Sequence, residues 1–241
     1  EKWHDYWINH AFDWYLKLGL SKDRLRIREH DKTELAHYSK ATHDIEYLFP
    51  WGWGELEGIA NRTDYDLKAH SQHTGQDLTY FDEQTKQRYY PYVIEPSGGV
   101  DRAVLAFWLD SYDEEPPESL NDETKSKKNN PARTILRLHP SIAPVKVAIL
   151  PLSRNEKLTP LAKNIYGDIL RYFPTQYDDS QSIGKRYRRQ DEIGTPYCVT
   201  IDFESLVDSQ VTLRERDSMD QIRLPIADLL TRLKDNLDNS L

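Results

Sequence analysis

Residues 93 to 109, VIEPSGGVDRAVLAFWL, combine groups suited to binding a phosphate. The β-branched start predicts a strand that ends at Glu95, since Pro96 has no N–H for a sheet ladder. Gly98 and Gly99 permit a tight turn and the close approach of a ligand to the backbone. A helix that starts directly after such a turn offers free N–H groups and a positive dipole end to an anion.

The helix after the glycines carries a cation near its start. Arg102 lies one turn in, where a guanidinium either binds phosphate oxygens or stacks on a flat base. An apolar face at helical spacing is expected to anchor the helix: Val100, Ala103, Val104, Phe107 and Trp108. The alternative is an ordinary glycine turn in which Arg102 pairs with Asp101 or Glu95.

A second chemistry-bearing stretch is GWGELEGIANRTDYDL, residues 52 to 67. Glu55 and Glu57 alternate with Leu56, so a strand here is expected to place both carboxylates on one face. Arg62 follows within a few residues, and Asp64 comes soon after it. Mixed charges of this kind suit a zwitterionic ligand, whereas the alternative is a structural network of ion pairs.

A third stretch, residues 182 to 198, contains a basic run. Four of the five residues 185 to 189 are basic, with Tyr187 between them, a pattern typical of nucleic-acid backbone contacts. The alternative is a solvated helical face, because Asp191 and Glu192 follow at once and could neutralise the run within one helix.

Composition narrows the classes of protein that remain. The net charge of −8 argues against nonspecific coating of nucleic acid but permits a local basic groove. Cys198 is the only cysteine, which excludes an intramolecular disulfide and a cysteine-based zinc site. The eight histidines are scattered without metal-ligand spacing, so no protein-ligated structural metal is expected. With no membrane-length apolar run and no signal peptide, a cytoplasmic protein is the simplest interpretation.

The elements that must position these residues follow from periodicity. Residues 1 to 48 are expected to be mostly helical, with a first helix stopping at Gly19 and TELAHYSKATHDIEYLF as a second amphipathic segment. The next part mixes both types of element. GELEGIA and YYPYVIE are expected as strands, and DYDLKAHSQH and VDRAVLAFWLDSY as helices.

The second half alternates strands and helices. KVAIL, YCVTIDF and QVTLRERD are predicted strands, TPLAKNIYGDILRYF is a predicted helix capped by Thr159, and MDQIRLPIADLLTRLKDNL holds the last helix. Residues 113 to 133 are polar and proline-containing, which indicates an exposed excursion. The sequence therefore predicts an α/β protein of two domains, residues 1–140 and 141–241, the second a compact α/β domain.

Taken together, ordered blocks of the chain resemble the bacterial dimeric type of glycyl-tRNA synthetase, a class II aminoacyl-tRNA synthetase. The blocks are LAHYSKATHDIEYLFPWGWGELEGIANRTDYDL, YVIEPSGGVDRAVLAF, APVKVAILPL and IGKRYRRQDEIGTPYCVTIDF. The EPSGGVDR piece resembles the third signature motif of class II synthetases. The resemblance implies the C-terminal portion of a class II catalytic core with an antiparallel sheet, then an anticodon-binding domain with a mixed sheet.

The resemblance also implies roles for single residues. Arg102 would be the catalytic arginine that packs on adenine and touches the ATP phosphates. The ATP site would further include Glu55, Leu56, Gly99, Val100 and Asp101. Arg62 would hold the glycine carboxylate. The rest of the glycine pocket would be formed by Glu95, Pro96, Ser97, Gly98 and Gly99.

The implied reaction is ATP-dependent activation of glycine to glycyl-adenylate and transfer to tRNA(Gly). Mg²⁺ would bridge the ATP phosphates, the full-length enzyme would be a homodimer, and the C-terminal domain would bind the tRNA anticodon. The first two class II motifs do not precede Glu1, so the chain is expected to hold only part of the catalytic site. The alternative is a non-catalytic nucleic-acid-binding relative, as the accessory subunit of the mitochondrial DNA polymerase is.

Overall fold

A computed structural model describes residues 1–116 and 132–238 of the chain. It divides into two compact units, Glu1–Asp110 and Ser111–Leu241. Most of the predicted excursion at residues 113 to 133 lies outside the described residues. None of the described helices is long and apolar enough to cross a membrane.

The first unit is a four-stranded antiparallel sheet in the order β1-β2-β3-β6, with helices and a small hairpin around it. Its elements are α1 (Lys2–Lys17), a 3₁₀ turn (Lys22–Arg24), β1 (Leu25–Glu29), β2 (Ala41–Phe49), β3 (Gly52–Thr63), α2 (Tyr65–Thr74), β4 (Tyr80–Asp82), β5 (Gln87–Tyr89), β6 (Val93–Gly98) and α3 (Val100–Ser111).

Helix α1 covers one face of this sheet. Its buried residues recur at helical spacing and form one stripe: His4, Ile8, Ala11 and Tyr15. α1 ends just before Gly19, whose φ of 102° turns the chain away from the helix, and this confirms the predicted stop. The prediction that residues 1–48 are mostly helical is wrong beyond this point. β1 and β2 form instead, because both strands pair along the sheet and bury alternate side chains of β2 under α1.

The strand-to-helix junction also differs from its prediction. β6 does not end at Glu95 but continues to Gly98, and Pro96 is tolerated because β6 is an edge strand. The expected helix face is only partly buried. Phe107 packs inside together with Ala106, whereas Val100, Val104 and Trp108 are exposed.

The second unit contains a five-stranded mixed sheet in the order β10-β9-β11-β12-β13. Its elements are β7 (Tyr112–Glu115), β8 (Arg133–Leu136), β9 (Val147–Pro151), α4 (Leu158–Leu170), β10 (Thr175–Tyr177), α5 (Ile183–Glu192), β11 (Tyr197–Ile201), α6 (Ser205–Asp208), β12 (Gln210–Glu215), β13 (Gln221–Pro225) and α7 (Ile226–Asp238). β10, β9 and β11 run parallel to one another. β12 pairs antiparallel with β11, and β13 pairs antiparallel with β12.

The core of the second unit lies between this sheet and helices α4 and α7. The predicted strands and helices are present, but α4 begins at Leu158 after Lys157 rather than at a Thr159 cap. The reason is a turn at Asn155, whose side-chain oxygen accepts the Lys157 N–H at 2.9 Å. The sequence prediction missed β10 and β13, which are short edge strands of the sheet.

A second pair of strands, β7 and β8, lies in this unit at the two ends of the predicted excursion. Arg133 on β8 ties the pair to α5 through Asp191, at 2.8 Å between Nε and Oδ2. Arg137, directly after β8, donates to Asp217 beyond β12, at 3.0 Å. Residues 113–115 and 133 are therefore paired strand residues rather than part of an exposed excursion.

Candidate functional site

The register of the first sheet decides which side chains share a face. Directly opposite residues of an antiparallel pair point to the same side, so Asp44, Gly58 and Ser97 lie on one face. Two residues along, Thr42, Ala60 and Glu95 lie on that same face. This face, opposite to α1, is called the open face below. Glu95 and Ser97 therefore project from β6 on one side, as the glycine-pocket prediction requires.

The same register separates the two carboxylates of β3. A bulge at Leu56 places Glu55 opposite Glu46, on the open face, but Glu57 opposite Ile45, on the face under α1. The prediction that Glu55 and Glu57 share a face is therefore wrong. The simple alternation of a strand is shifted by one residue at the bulge, and sequence alternation alone does not reveal that shift.

Arg102 is fixed at the start of α3 by the backbone of β3. Its Nη1 donates to the carbonyl of Glu55 at 2.8 Å, and the rest of its guanidinium is exposed. Gly99 N–H donates to the carbonyl of Leu56 at 3.1 Å, which joins the junction to the same two residues. The first turn of α3, from Val100 onward, leaves N–H groups beside this guanidinium. The structure thus brings the predicted ATP-site residues together at one junction.

The junction glycines are not used for left-handed backbone, since neither Gly98 nor Gly99 has a positive φ. A Cβ on Gly98 would lie 3.5 Å from the Glu57 side chain, which is ordinary contact. Arg102 also does not take the alternative partners that the sequence left open, because its described hydrogen bond goes to a main-chain carbonyl rather than to Asp101 or Glu95.

Arg62 is the centre of a charged cluster on the open face. It donates through Nε and Nη2 to both oxygens of Asp66, at 2.6 and 2.8 Å, and through Nη1 to Glu95 at 2.8 Å. Its guanidinium also lies over the ring of Tyr38, 3.9 Å from the centroid. The hydrogen bonds to Asp66, followed by those to Glu95, hold the pKa of Arg62 above its usual value. Of its five N–H groups, three are used within the described residues, which leaves two for a ligand.

A second cluster on this face was not predicted from the sequence. Arg28 on β1 donates to Asp44 and to Glu46 on β2, each at 3.0 Å, and neutralises these two buried carboxylates. Arg26 donates to Glu46 at 2.6 Å and lies over the Trp53 ring. The alternate spacing of the two arginines was the available signal, but it was obscured because a helix was expected there.

The other face of β6 opens into a cavity of about 400 Å³ beneath α1. Its walls include Pro96, Gly98 and Glu57. The pKa of Glu57 is raised by burial, and the hydroxyl of Tyr15 donates a hydrogen bond to it. Of the predicted glycine-pocket residues, Pro96 and Gly98 thus belong to the side of the strand opposite Glu95 and Ser97. Only their backbone is available to the open face.

The basic run on α5 in the second unit does not form one charged surface. Arg186 is 1 % exposed and donates to main-chain carbonyls, including those of Pro151 and Gln181. Arg189 pairs with Asp178 at 2.5 Å. Of the basic residues in the run, only Lys185 is exposed, and Arg188 and Arg189 are half-buried. The helix geometry turns Arg186 inward while Lys185 stays exposed, so both sequence interpretations of this stretch are incomplete.

Asp191 does not neutralise the basic run either. It is 1 % exposed, and its carboxylate accepts from Arg214 at 2.9 and 3.1 Å and from Arg133 at 2.8 Å. The thiol of Cys198 on β11, opposite Arg214, is buried, and burial raises its pKa to about 12. Among residues 1–116 and 132–238, no group of three or more His, Cys, Asp or Glu side chains is arranged to hold a metal ion.

Comparisons with known proteins agree with both units. A family model described as an anticodon binding domain matches residues 146–236. A crystal structure of prolyl-tRNA synthetase from Cryptosporidium parvum, complexed with halofuginone and AMPPNP, has the same fold with a TM-score of 0.67. It is 16 % identical, and the match covers 99 % of this chain and 44 % of that one. The antiparallel sheet and the mixed-sheet unit together define the fold of a class II aminoacyl-tRNA synthetase.

Closer relatives narrow the family. The chain is 54 % identical over 237 residues to a glycine–tRNA ligase of Clostridium tetani, covering 98 % of this chain and 49 % of that protein. It is 55 % identical over 228 residues to one of Geobacillus thermodenitrificans, covering 95 % and 46 %. The chain belongs to the glycine–tRNA ligase family, and it spans about half the length of the curated relatives that it matches.

The expected fold class and family are thereby confirmed. The domain boundary predicted after residue 140 lies between the start of the second compact unit, Ser111, and the start of the matched domain, residue 146. That boundary stays a prediction, as do the individual ATP and glycine contacts.

Proposed function

We propose that this chain provides part of the adenylation site and the anticodon-binding domain of a glycine–tRNA ligase. The reaction would activate glycine with ATP to glycyl-adenylate and then transfer the glycyl group to tRNA(Gly). The observation that carries this proposal is the placement of Arg62, Glu95 and Ser97 on the open face, beside Arg102, in a chain of this family.

The ATP site is proposed at the junction of β6 and α3. Arg102, held by the Glu55 carbonyl, would present its free guanidinium edge to the adenine ring and the phosphates. Leu56 accepts the Gly99 N–H and so fixes the backbone there, and the first turn of α3 at Val100 and Asp101 offers its N–H groups and positive dipole end. These groups would stabilise charge that develops on the phosphates without reorganising.

Mg²⁺ is proposed as the partner of the phosphates, and its preferred ligands are oxygen atoms. The open face has suitable donors: Oε1 of Glu55 and Oδ1 of Asp44 lie 3.4 and 3.5 Å from the position that a Cβ would take on Gly58. Asp44 already accepts from Arg28, so the exposed Glu55 is the available ligand. The ion would neutralise phosphate charge during transfer.

The glycine pocket is proposed between Arg62 and Ser97. The two remaining N–H groups of Arg62 suit the carboxylate, and Glu95 suits the ammonium group. Ser97, with the backbone of residues 96–99, would form the wall. Because glycine has no side chain to grip, selectivity would come from excluding larger amino acids from this small space.

The partners proposed for the whole enzyme follow from the same family. The second unit would bind the anticodon of tRNA(Gly), in keeping with the matched domain. A homodimer and a cytoplasmic location are proposed for the full-length enzyme on family grounds. The alternative is a non-catalytic nucleic-acid-binding relative, and it makes a different prediction in the assay below.

The test uses a chimera in which this chain replaces the matching half of the Clostridium tetani enzyme. We expect glycine-dependent ATP–pyrophosphate exchange, reduced roughly 100-fold or more by Arg102→Ala, because a fixed charge clamp is lost. Arg88→Ala is the matched control, since Arg88 is an exposed arginine of the same unit on β5. Near-normal exchange in the Arg102→Ala chimera would contradict the ATP assignment. A parent chimera that binds tRNA without any exchange would favour the non-catalytic alternative.

A further inference from the structure

The connection between β1 and β2, residues 30–40, places an aromatic ring against the proposed glycine pocket. Tyr38, near the end of this connection, is half-buried. The guanidinium of Arg62 lies over its ring, with 3.9 Å between Cζ and the ring centroid. Arg62 is near the end of β3 and is the residue proposed to hold the carboxylate of glycine. A tyrosine that is distant from the motifs in the sequence therefore contacts the central cation of that pocket.

The ring takes the part of the guanidinium that the carboxylates leave open. Asp66 accepts from Nε and Nη2 of Arg62 at 2.6 and 2.8 Å, and Glu95 accepts from Nη1 at 2.8 Å. A planar guanidinium donates only within its plane, so its two faces have no N–H groups to offer. Tyr38 lies against one of these faces, where the negative face of an aromatic ring attracts the positive charge.

The chain that follows Tyr38 is fixed to the sheet. The hydroxyl of Ser39 lies 2.9 Å from the hydroxyl of Thr42 on β2. The N–H of Lys40 donates at 2.9 Å to the carbonyl of Asn61, which is next to the stacked arginine on β3. The ring and the guanidinium are therefore joined by hydrogen bonds only a few residues away from each of them.

The residue before Tyr38 ties the same turn to α2. His37 Nε2 and the hydroxyl of Tyr65 are 3.1 Å apart, within hydrogen-bonding distance, and the centroids of the Tyr38 and Tyr65 rings are 6.3 Å apart. Tyr65 begins α2, and the residue after it is Asp66, the bidentate partner of Arg62. Tyr38 is thus held by the same two elements, β3 and α2, that hold the arginine and its carboxylate.

A stacked ring contributes what the ion pairs alone do not. The side chain of Arg62 is 19 % exposed, so water can compete with a ligand for its remaining N–H groups. The Tyr38 ring excludes water from one face and opposes rotation of the guanidinium out of the plane of its partners. A carboxylate that accepts N–H groups of an arginine needs that plane to be fixed.

We propose that Tyr38 is a positioning residue for glycine binding, which holds the guanidinium of Arg62 in the plane that the substrate carboxylate requires. The proposal rests on the glycine contact proposed above for Arg62. Tyr38 acts through the arginine, so it contributes to the affinity for glycine and touches none of the reacting atoms.

The test measures glycine-dependent ATP–pyrophosphate exchange in the chimera with the Clostridium tetani enzyme. Tyr38→Leu keeps an apolar side chain but has no aromatic face. We expect it to raise KM for glycine by roughly 3- to 30-fold, the range of one cation–π contact, and to leave kcat and KM for ATP unchanged. Tyr38→Phe retains the ring and should have a KM for glycine close to that of the parent chimera.

A replacement of nearly unchanged shape separates stacking from packing, also if Tyr38→Leu disturbs folding. Pentafluorophenylalanine at position 38 occupies about the same space as phenylalanine, but its fluorine atoms remove the negative charge from the ring face. KM for glycine should therefore rise above that of Tyr38→Phe, because the attraction to the guanidinium is lost. A side chain that only fills space would not respond to this change.

A double-mutant cycle tests whether Tyr38 acts through Arg62. In the Arg62→Gln chimera no cation lies over the ring, so adding Tyr38→Leu should change KM for glycine by less than about 2-fold. Tyr80→Leu is the matched control, since Tyr80 is an exposed tyrosine on β4 of the same unit, and its KM should equal that of the parent.

The outcomes separate this proposal from the one on which it rests. If Arg62→Gln leaves KM for glycine unchanged, the glycine contact of Arg62 fails. If Arg62→Gln raises KM but Tyr38→Leu does not, or Tyr38→Phe raises it as much as Tyr38→Leu, the positioning role is overturned. An equal effect of Tyr38→Leu in the parent and Arg62→Gln chimeras also overturns it, because Tyr38 would then act independently of the arginine.

Discussion

Arginines in the two units have opposite surroundings. On the open face of the first unit, Arg28 and Arg62 pair with carboxylates while their side chains stay 35 % and 19 % exposed. In the second unit, Arg186, Arg214 and Arg216 are 1 %, 5 % and 3 % exposed. These arginines of the first unit therefore lie at a surface that a ligand can reach, whereas these arginines of the second unit lie in the protein interior.

The difference teaches how to interpret an arginine in such a chain. The buried guanidinium groups donate to partners inside the protein: Arg186 to main-chain carbonyls, and Arg214 to Asp191. Removing such a partner leaves an uncompensated buried charge. Arg62 on the open face keeps donors for a ligand, and its partners Asp66 and Glu95 are 20 % and 44 % exposed, so water can still reach them when Arg62 is lost. Stability should therefore depend on the first kind, and activity on the second.

The largest expected effect is on the stability of the second unit. Asp191→Asn leaves Arg133 and Arg214 without their shared carboxylate, and we expect it to destabilise this unit by about 3–5 kcal/mol. The reporter is Cys198, the only cysteine, whose buried thiol should react with dithiobis(nitrobenzoate) only when the unit opens. The modification rate should rise strongly in the variant.

Two controls sharpen this result. Glu192→Gln changes an exposed neighbour on α5 and should leave the rate unchanged. All six tryptophans lie in residues 1–110, so tryptophan fluorescence reports the first unit alone and should unfold as before. A loss below about 1 kcal/mol for Asp191→Asn would remove the distinction between buried and open arginines.

An intermediate effect is expected at Arg62, on activity rather than stability. In the chimera, Arg62→Lys should raise KM for glycine by about 10- to 100-fold, because a lysine cannot bind Asp66, Glu95 and a carboxylate at once. Unfolding of the first unit should shift by no more than about 1 kcal/mol. Arg223→Lys is the control: it has a similar pair of aspartates in the second unit, and an unchanged KM is expected. An unaltered KM in Arg62→Lys would contradict the glycine contact.

The smallest expected effect concerns Glu57, the carboxylate on the covered face. Burial raises its pKa in the folded state above 4.5, so folding holds the proton more tightly there. The stability that this raised pKa contributes to folding is thus fully present below pH 4.5. It is lost as the pH rises through the pKa of Glu57 in the folded state. Glu57→Gln should be slightly more stable than the wild type at pH 7 and equal to it at pH 4, by urea unfolding followed with tryptophan fluorescence.

A second variant tests the cause. The Tyr15 hydroxyl donates to Glu57 and so lowers the pKa of that carboxyl. Tyr15→Phe removes this hydrogen bond, so the pKa of Glu57 should rise further and the loss of stability should move to higher pH. If Glu57→Gln instead loses stability at pH 7, the carboxylate is needed in its charged form, and burial is not the dominant cause of its pKa.

Much of the fold could be predicted from local pattern. Alternation and turn residues located β3, β9 and β11, and helical periodicity located α1, α3 and α4 within a few residues. β1 and β2 were mistaken for helix because their strand character depends on pairing with distant residues. β10 and β13 were missed since each is short and lies at a sheet edge.

For the candidate site, the sequence by itself determined which residues could do chemistry. The order of Glu55, Arg62, Glu95, Ser97 and Arg102 and the blocks around them carry the family resemblance, and these depend only on covalent sequence. Local periodicity likewise determined that a helix begins just after the glycines.

The tertiary structure decided which of those residues meet. A one-residue bulge at Leu56 sends Glu57 to the covered face and leaves Glu55 on the open one, and helix rotation buries Arg186 while Lys185 stays exposed. These outcomes depend on register and packing between residues far apart in the chain. Local pattern contains no such information, because a single residue of shift reverses the face of every side chain that follows.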